Sequence, residues 1–154
     1  MVPGLSQGEA EALIAIDTNV LVYAFNARDA RHEEARALVG SLARGGRPWA
    51  VPWPCLTEFL KVVTEPVFDR PASAAAAFEF LDLLFGSPSL RRLLPTEDTA
   101  RVLREVLEES GVRGRRVFDA HIFALCLEHG VRELLTADKG FRRFRGLKVS
   151  DPFA

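Results

Sequence analysis

Short apolar stretches alternate with longer segments of helical spacing along most of the chain. The stretches at residues 13–17, 49–51, 90–94, 134–136 and 147–150 are too short for helices, and we predict each as a strand. The first of them is apolar almost throughout, as expected of a strand that is buried on both faces of a sheet. Strands that alternate with helices are typical of a parallel sheet, so the pattern predicts the α/β fold class.

Helical spacing marks the segments between these strands. The predicted helices cover residues 19–25, 32–44, 55–64, 74–85, 97–110 and 117–129. Ser73 and Thr96 are candidate N-caps, because a hydroxyl oxygen there can accept a hydrogen bond from a free backbone amide. Gly111 and Gly130 are suitable C-terminal stops. The last helix carries Phe118, Ile122, Leu125 and Cys126 on one apolar face.

The length of 154 residues suits one domain with its own core. We assign residues 13–154 to that domain and residues 1–12 to a flexible N-terminal tail. No apolar run approaches the roughly 20 residues that a membrane helix needs. The N-terminus lacks the basic start and apolar centre of a secretory signal, so the sequence predicts a cytoplasmic protein.

The overall charge excludes one way of binding nucleic acid. The net charge is −1, whereas a protein that coats nucleic acid through bulk charge needs a strong basic excess. Any such contact must therefore be local. Cys55 and Cys126 lie within apolar helical patterns, and in a reducing compartment they are expected to be core residues rather than a disulfide.

Acidic residues interrupt the apolar pattern at four positions. Asp17 ends the first strand, Glu58 lies in an apolar helix, Asp119 lies in the first turn of the last helix, and Asp138 follows the fourth strand. An unpaired carboxylate in apolar surroundings costs several kcal/mol unless its charge is compensated. Ligands of open parallel sheets bind beyond the carboxyl ends of the strands, which is where Asp17 and Asp138 are predicted to lie.

A divalent cation would compensate a cluster of carboxylates. Grouped carboxylates repel and raise one another's pKa unless a cation lies among them. An all-oxygen set without paired His or Cys ligands favours Mg²⁺ or Mn²⁺ over Zn²⁺. Such an ion can lower the pKa of a bound water, orient a phosphate and stabilise a leaving oxygen, as phosphodiester hydrolysis requires.

Each acidic residue also has a purely structural interpretation. Asp17 and Asp119 could cap helices or favour the helix dipole. Glu58 could pair with Lys61 on a helix surface. Asp138 lies in "TADKGF", a segment rich in turn-forming residues. The residues alone leave these alternatives open.

Four segments carry these acidic residues in order: "IDTNVLVYAF", "PWPCLTEFLKVVTEPVF", "VFDAHIFALCLEHG" and "LLTADKGFRRFRGLKVSDPF". They resemble the motifs of PIN-domain ribonucleases, and more narrowly of VapC-type toxins from toxin–antitoxin pairs, and the likeness runs from about Leu13 to Phe153. The resemblance implies a PIN-like α/β/α sandwich with a central parallel sheet of about five strands. It also implies a Mg²⁺- or Mn²⁺-dependent endoribonuclease, which pairs with a VapB-type antitoxin and with a second copy of itself.

The resemblance also implies roles for individual residues. Asp17, Glu58, Asp119 and Asp138 would form the acidic metal centre and carry catalysis. Asn19 and Thr136 would brace that centre by hydrogen bonds, and His121 is expected to support it rather than to act as the base.

Basic clusters next to Asp119 and Asp138 could bind RNA phosphates. The clusters are Arg113, Arg115 and Arg116 on one side, and Lys139, Arg142, Arg143, Arg145 and Lys148 on the other. Arg115, Arg116, Lys139 and Arg142 are the main candidates, although a solvated surface is an alternative for each of them. Trp49 and Trp53 could stack on bases, but we favour a packing role for both.

Other functions fit the residues less well. Phosphatases of the haloacid dehalogenase type need a second Asp two positions after the first, where this chain has Asn19. Receiver domains need paired early acidic residues and a late lysine, which are not clear here. A PIN-domain ribonuclease that is not a toxin, or a non-catalytic PIN binding module, stays open.

Overall fold

Five parallel strands form a single sheet in the part of the chain that the computed structural model describes, residues 12–66, 68 and 70–154. The strands are β1 (Leu13–Ile16), β2 (Trp49–Pro52), β3 (Leu90–Leu93), β4 (Val131–Leu135) and β5 (Lys148–Ser150). Their order across the sheet is β3-β2-β1-β4-β5, and every neighbouring pair is parallel. The five predicted strands and the α/β fold class are confirmed, although β4 begins at Val131, three residues before the predicted start at Leu134. The predicted N-terminal tail lies, except for Ala12, outside the described residues.

Six α-helices connect these strands within the described residues. They are α1 (Thr18–Phe25), α2 (His32–Arg44), α3 (Trp53–Thr64), α4 (Ala74–Phe85), α5 (Thr99–Ser110) and α6 (Val117–Glu128). Two short 3₁₀ helices, Gly114–Arg116 and Lys139–Arg143, precede α6 and follow β4. Helix α1 packs against α2 and α3, whereas α5 packs against α6, and together the helices flank the sheet. The arrangement matches the predicted sandwich.

The core is centred on β1 and β2. Trp49, Ala50 and Val51 have no accessible surface, and neither have Ala15 and Ile16 of β1. These strands are buried on both faces, which explains why their sequences are apolar rather than alternating. Complete burial also excludes Trp49 as a residue that stacks on RNA bases.

The predicted start of one helix is wrong. Helix α5 begins at Thr99 rather than after Thr96, because Thr96 forms a turn before the helix. In this turn the Thr96 amide donates to Thr99 Oγ1 at 2.8 Å, and Thr96 Oγ1 accepts from the Asp98 amide at 3.0 Å. Ser73, in contrast, caps α4 as predicted by accepting a hydrogen bond from the Ala76 amide at 3.1 Å. Phe118 is 69% exposed, since it lies in the first turn of α6, on the side away from the core.

The predictions for the two cysteines are confirmed. Cys55 and Cys126 are free thiols without accessible surface. None of the helices in the described part of the chain is long and apolar enough to cross a membrane.

Candidate acidic active site

Asp17 lies at the junction of β1 and α1, where the chain leaves the carboxyl end of the sheet. It is the N-cap of α1, and its Oδ1 accepts from the Thr18 amide at 2.8 Å. Its own amide donates to the Leu135 carbonyl at 3.0 Å, which ties the junction to the end of β4. The side chain is only 4% exposed. The capping interpretation is therefore correct, but a cap on a helix surface would not need this burial.

Asn19 and Thr136 hold the Asp17 carboxylate from two parts of the chain. Thr136 Oγ1 donates to Asp17 Oδ2 at 2.8 Å, and Asn19 Nδ2 donates to the same oxygen at 3.2 Å. Asn19 Nδ2 also donates to Thr136 Oγ1 at 3.0 Å, and the Ala137 amide donates to Asn19 Oδ1 at 3.1 Å. These contacts fix the orientation of the carboxylate relative to the end of β4.

Burial and hydrogen bonding act in opposite directions on Asp17. Desolvation raises the pKa of its carboxyl to about 6, and the nearby charge of Glu58 adds to this rise. The hydrogen bonds from Thr136 and Thr18 limit the rise. Cys55 contributes a weak fourth donor, with its Sγ 3.5 Å from Asp17 Oδ1. Burial therefore makes the negative charge of Asp17 unfavourable unless a positive charge lies beside it.

Glu58 projects from α3 toward the other acidic residues. Partial desolvation raises the pKa of its carboxyl, and the charges of Asp119 and Asp138 raise it further. The Thr18 hydroxyl lies close enough to oppose this rise, although it is buried and completes no hydrogen bond within the described residues. Lys61 forms its close ion pair with Glu65 at 2.9 Å rather than with Glu58, and it acts on Glu58 only through its charge, which lowers the pKa of that carboxyl.

Arg116 bridges Asp119 and Asp138. Its Nη1 lies 2.7 Å from Asp119 Oδ2 and 3.2 Å from Asp138 Oδ2. Asp119 lies in the first turn of α6, and Asp138 Oδ1 accepts from the Gly140 amide at 2.8 Å. The contacts join the start of α6 to the segment after β4.

The four carboxylates form one electrostatic group, and their chemistry suits a hard divalent cation. The charge of Glu58 raises the pKa of Asp17, and the charges of Asp119 and Asp138 raise the pKa of Glu58. All the donors are oxygens, and the unsatisfied Thr18 hydroxyl adds another oxygen beside them. As they stand, no three His, Cys, Asp or Glu side chains of the described residues converge closely enough to hold one ion. A positive charge is already present among them, on Arg116.

An open groove of about 760 Å³ adjoins the acidic residues, between α3 and the start of α6. Glu58, Arg116 and Asp119 belong to its wall. Two exposed aromatic rings also line it, Trp53 (43% exposed) and Phe118 (69% exposed). The groove therefore joins apolar and charged surface directly beside the carboxylates.

The predicted RNA-binding residues are distributed unevenly around this groove. Arg115 and His121 lie in its wall, whereas Lys139 and Arg142 are exposed on the 3₁₀ helix that follows Asp138. Arg116 is engaged by the two carboxylates.

Three other basic residues do not flank the acidic group as predicted. Arg143 and Arg145 line a separate small cavity with Glu105 and Glu109 of α5, because the chain has turned away from the groove at this point. Lys148 lies 3.5 Å from Glu133 on the neighbouring strand β4.

Three contributors to the site are not predicted from the sequence. Cys55 is expected there only as a core residue, although it stands one helical turn before Glu58 and therefore near the same helix face. Thr18 has no predicted role of its own. Gly140 is expected only as part of a turn, and its close approach to Arg116 has no signal in the sequence.

Comparison with known proteins identifies the family of this chain. The family model of the PIN domain matches residues 14–147. The VapC ribonuclease Mb2897 of Mycobacterium bovis is 36% identical over 141 residues, which cover 91% of this chain and 95% of that protein. The chain therefore belongs to the PIN-domain family, and this identity over most of its length places it among the VapC ribonucleases.

Two solved structures of VapC-type proteins have a similar fold. The structure of VapBC2 from Rickettsia felis, bound to a DNA fragment from its promoter, aligns with a TM-score of 0.65 at 18% identity and covers 90% of this chain and 98% of its own. VapC20 of Mycobacterium tuberculosis, a toxin that cleaves the sarcin–ricin loop, aligns with a TM-score of 0.63 at 22% identity, with coverage of 84% and 92%. At these identities the likeness concerns the fold.

Proposed function

We propose that this protein is a Mg²⁺- or Mn²⁺-dependent endoribonuclease and the toxin of a VapBC-type toxin–antitoxin pair. The observation that carries the proposal is the Asp17 carboxylate, which is buried at the carboxyl end of β1 and held by Thr136, Asn19 and the Thr18 amide. A helix cap needs one such contact. A carboxylate that is fixed by several donors beside three further acidic residues suits a binding site for a cation.

The residues have distinct roles in this proposal. Asp17, Glu58, Asp119 and Asp138 would hold the ion, which would lower the pKa of a bound water and stabilise the leaving oxygen of the phosphodiester. Asn19 and Thr136 orient Asp17, since residues behind a ligand fix its geometry. Arg115, Lys139 and Arg142 would bind the phosphates on both sides of the cleaved bond. His121, in the groove wall, supports the site without acting as the base.

The proposed partners follow from the family. Relatives of this fold are solved as VapBC complexes, so we assign a VapB-type antitoxin as the partner, a second copy of the chain as dimer partner, and RNA as substrate. A non-catalytic PIN binding module is less consistent with the site, because all four acidic residues are present and Asp17 is held at an energetic cost by burial. A PIN-domain ribonuclease outside a toxin–antitoxin pair differs only in its partner.

A cleavage assay tests the catalytic part of this proposal. The purified protein should cut RNA in the presence of Mg²⁺ or Mn²⁺ and stop when EDTA is added, while Asp17→Asn should be inactive under all conditions. Cleavage that continues in EDTA would contradict the metal mechanism. Expression of the chain should arrest growth, and co-expression of an antitoxin encoded next to it should relieve the arrest; normal growth with folded wild-type protein would favour a ribonuclease that is not a toxin.

A further inference from the structure

Arg116 occupies the position that a cation shared by Asp119 and Asp138 would need. One guanidinium nitrogen, Nη1, contacts Oδ2 of both carboxylates, at 2.7 and 3.2 Å. A divalent cation held between the same two carboxylates would need the space that this nitrogen fills. The nitrogen and the ion therefore exclude each other.

Gly140 provides the space in which this guanidinium lies. A Cβ atom added at residue 140 would stand 2.4 Å from Arg116 Nη1, 2.8 Å from Cζ and 2.9 Å from Nη2. Gly140 has no positive φ, so its backbone conformation does not itself require glycine. Its amide donates to Asp138 Oδ1 at 2.8 Å, a contact that any residue except proline could make. The side-chain contact with Arg116 is therefore what a larger residue would disturb.

The Arg116 side chain is held by contacts that are partly open to solvent. It is 42% exposed, and it also belongs to the wall of the groove that contains Arg115 and the exposed rings of Trp53 and Phe118. Ion pairs with such exposure are weak, because water competes for both partners. The guanidinium is thus held by two partly exposed ion pairs and by the shape of the surface at Gly140.

We propose that Arg116 is a built-in competitor of the catalytic cation: it neutralises the Asp119–Asp138 pair in the metal-free protein and must move into the groove before an ion can bind both carboxylates. This inference rests on the proposed function, since it concerns the same metal site. Arg116 is thus a positioning residue that sets the metal concentration at which the site fills. Gly140 acts through Arg116, by leaving room for it.

Binding of Mn²⁺ to the full chain, measured without RNA from the EPR signal of the free ion, tests the competition. Arg116→Met should tighten Mn²⁺ binding by about three- to tenfold, the range expected when one or two partly exposed ion pairs no longer compete. Arg115→Met is the matched control, since it removes the same charge one position earlier from the groove wall, and it should change the affinity clearly less. Equal or weaker Mn²⁺ binding by Arg116→Met would overturn the inference.

Gly140→Ala provides a second variant in which Arg116 and all carboxylates remain. The added Cβ should displace the guanidinium and tighten Mn²⁺ binding, by less than Arg116→Met does. In the Arg116→Met background the same change should have no effect, because no guanidinium remains to be displaced. An equal effect of Gly140→Ala in both backgrounds would contradict the role assigned to it.

The results separate this inference from the proposed function. If neither wild type nor Arg116→Met binds Mn²⁺ at millimolar concentration, the metal site itself is wrong. If wild type binds Mn²⁺ and Arg116→Met binds it no more tightly, the metal site stands and only the competition is wrong.

Discussion

The hydroxyl of Thr136 donates a 2.8 Å hydrogen bond to the carboxylate of Asp17, which lies 119 positions earlier in the chain. Strands β1 and β4 are neighbours in the sheet, so their carboxyl ends bring these two side chains together. Thr136 Oγ1 also accepts from the Asp138 amide at 3.0 Å. One hydroxyl thus connects two of the four acidic segments.

Thr136→Val should therefore weaken both the fold and the site. It keeps the shape of the side chain but leaves the buried Asp17 carboxylate without its strongest donor, which should cost about 1–3 kcal/mol of unfolding free energy at neutral pH. RNA cleavage should fall by about 10- to 100-fold, as is usual when a residue behind a metal ligand is lost. Urea unfolding in EDTA and a cleavage assay measure the two effects.

Thr64→Val is the matched control for this variant. Among the described residues the Thr64 hydroxyl donates within α3, to the Leu60 and Lys61 carbonyls, and it does not contact the acidic site. We expect unchanged cleavage and a stability within about 0.5 kcal/mol of wild type. Equal effects of the two valine substitutions would show that the Asp17–Thr136 bond has no special role.

Asp17 should make the metal-free protein less stable as the pH rises. The pKa of its carboxyl is about 6 in the folded protein against an ordinary value of 3.8, so between these values the folded form binds more protons than the unfolded form. Its contribution to stability is complete below 3.8 and is lost as the pH rises through about 6. This rise in pKa corresponds to about 3 kcal/mol of unfolding free energy.

Asp17→Asn tests this dependence because asparagine does not titrate. Between about pH 4 and pH 7 in EDTA, the stability of wild type should fall relative to that of the variant by up to about 3 kcal/mol. Asp29 and Glu128, whose pKa values are lowered, oppose this trend, but they are present in both proteins and cancel in the difference. Unfolding free energies that run parallel across this range would mean that Asp17 is not destabilised by its burial.

Asp119→Asn separates a metal ligand from a simple ion-pair partner. The amide keeps the shape of the side chain and removes its charge. The pair with Arg116 is partly exposed, so the melting temperature in EDTA should change little. Mg²⁺ should stabilise wild type by mass action and the variant less, while cleavage falls by orders of magnitude.

Asp98→Asn is a suitable control for that comparison. Asp98 precedes α5 and lies 3.8 Å from Arg101 in an exposed pair outside the acidic site. Mg²⁺ should stabilise the Asp98→Asn protein as much as it stabilises wild type, and the variant should cleave RNA at the wild-type rate. An Asp119→Asn protein that still cleaves at the wild-type rate would exclude Asp119 as a metal ligand.

Lys139 and Arg142 should contribute to RNA binding through phosphates rather than bases. Replacing both with alanine in the inactive Asp17→Asn protein should weaken binding of single-stranded RNA for every sequence. The slope of log affinity against log salt should fall by about 0.7 for each phosphate that the protein no longer neutralises. Arg101 and Arg104, which pair with acidic residues of α5, provide a double-alanine control. An unchanged salt slope in the Lys139 and Arg142 variant would exclude these residues from the RNA interface.

The sequence by itself determined the order and type of the secondary structure. Apolar runs without alternation, as in β1 and β2, occur where a strand is buried on both faces, and this local signal predicted a parallel α/β sheet. The local signal failed where a side chain had an alternative partner, as at Thr96, and it did not indicate that Phe118 lies beyond the edge of the core. Both positions lie near the start of a helix, where propensity hardly distinguishes capping from continuation.

The sequence also identified the four acidic residues, but only the tertiary structure decided their neighbours. The spacing from Asp17 to Asp138 contains no geometric information, and the contact between Asp17 and Thr136 exists because β1 and β4 are adjacent in the sheet. The ion pair of Arg116 with Asp138 likewise exists only because the segment after β4 lies beside the start of α6. Hydrogen bonds and ion pairs require distances of a few ångströms between atoms, and such distances between remote residues are set by the packing of the sheet and helices rather than by local sequence.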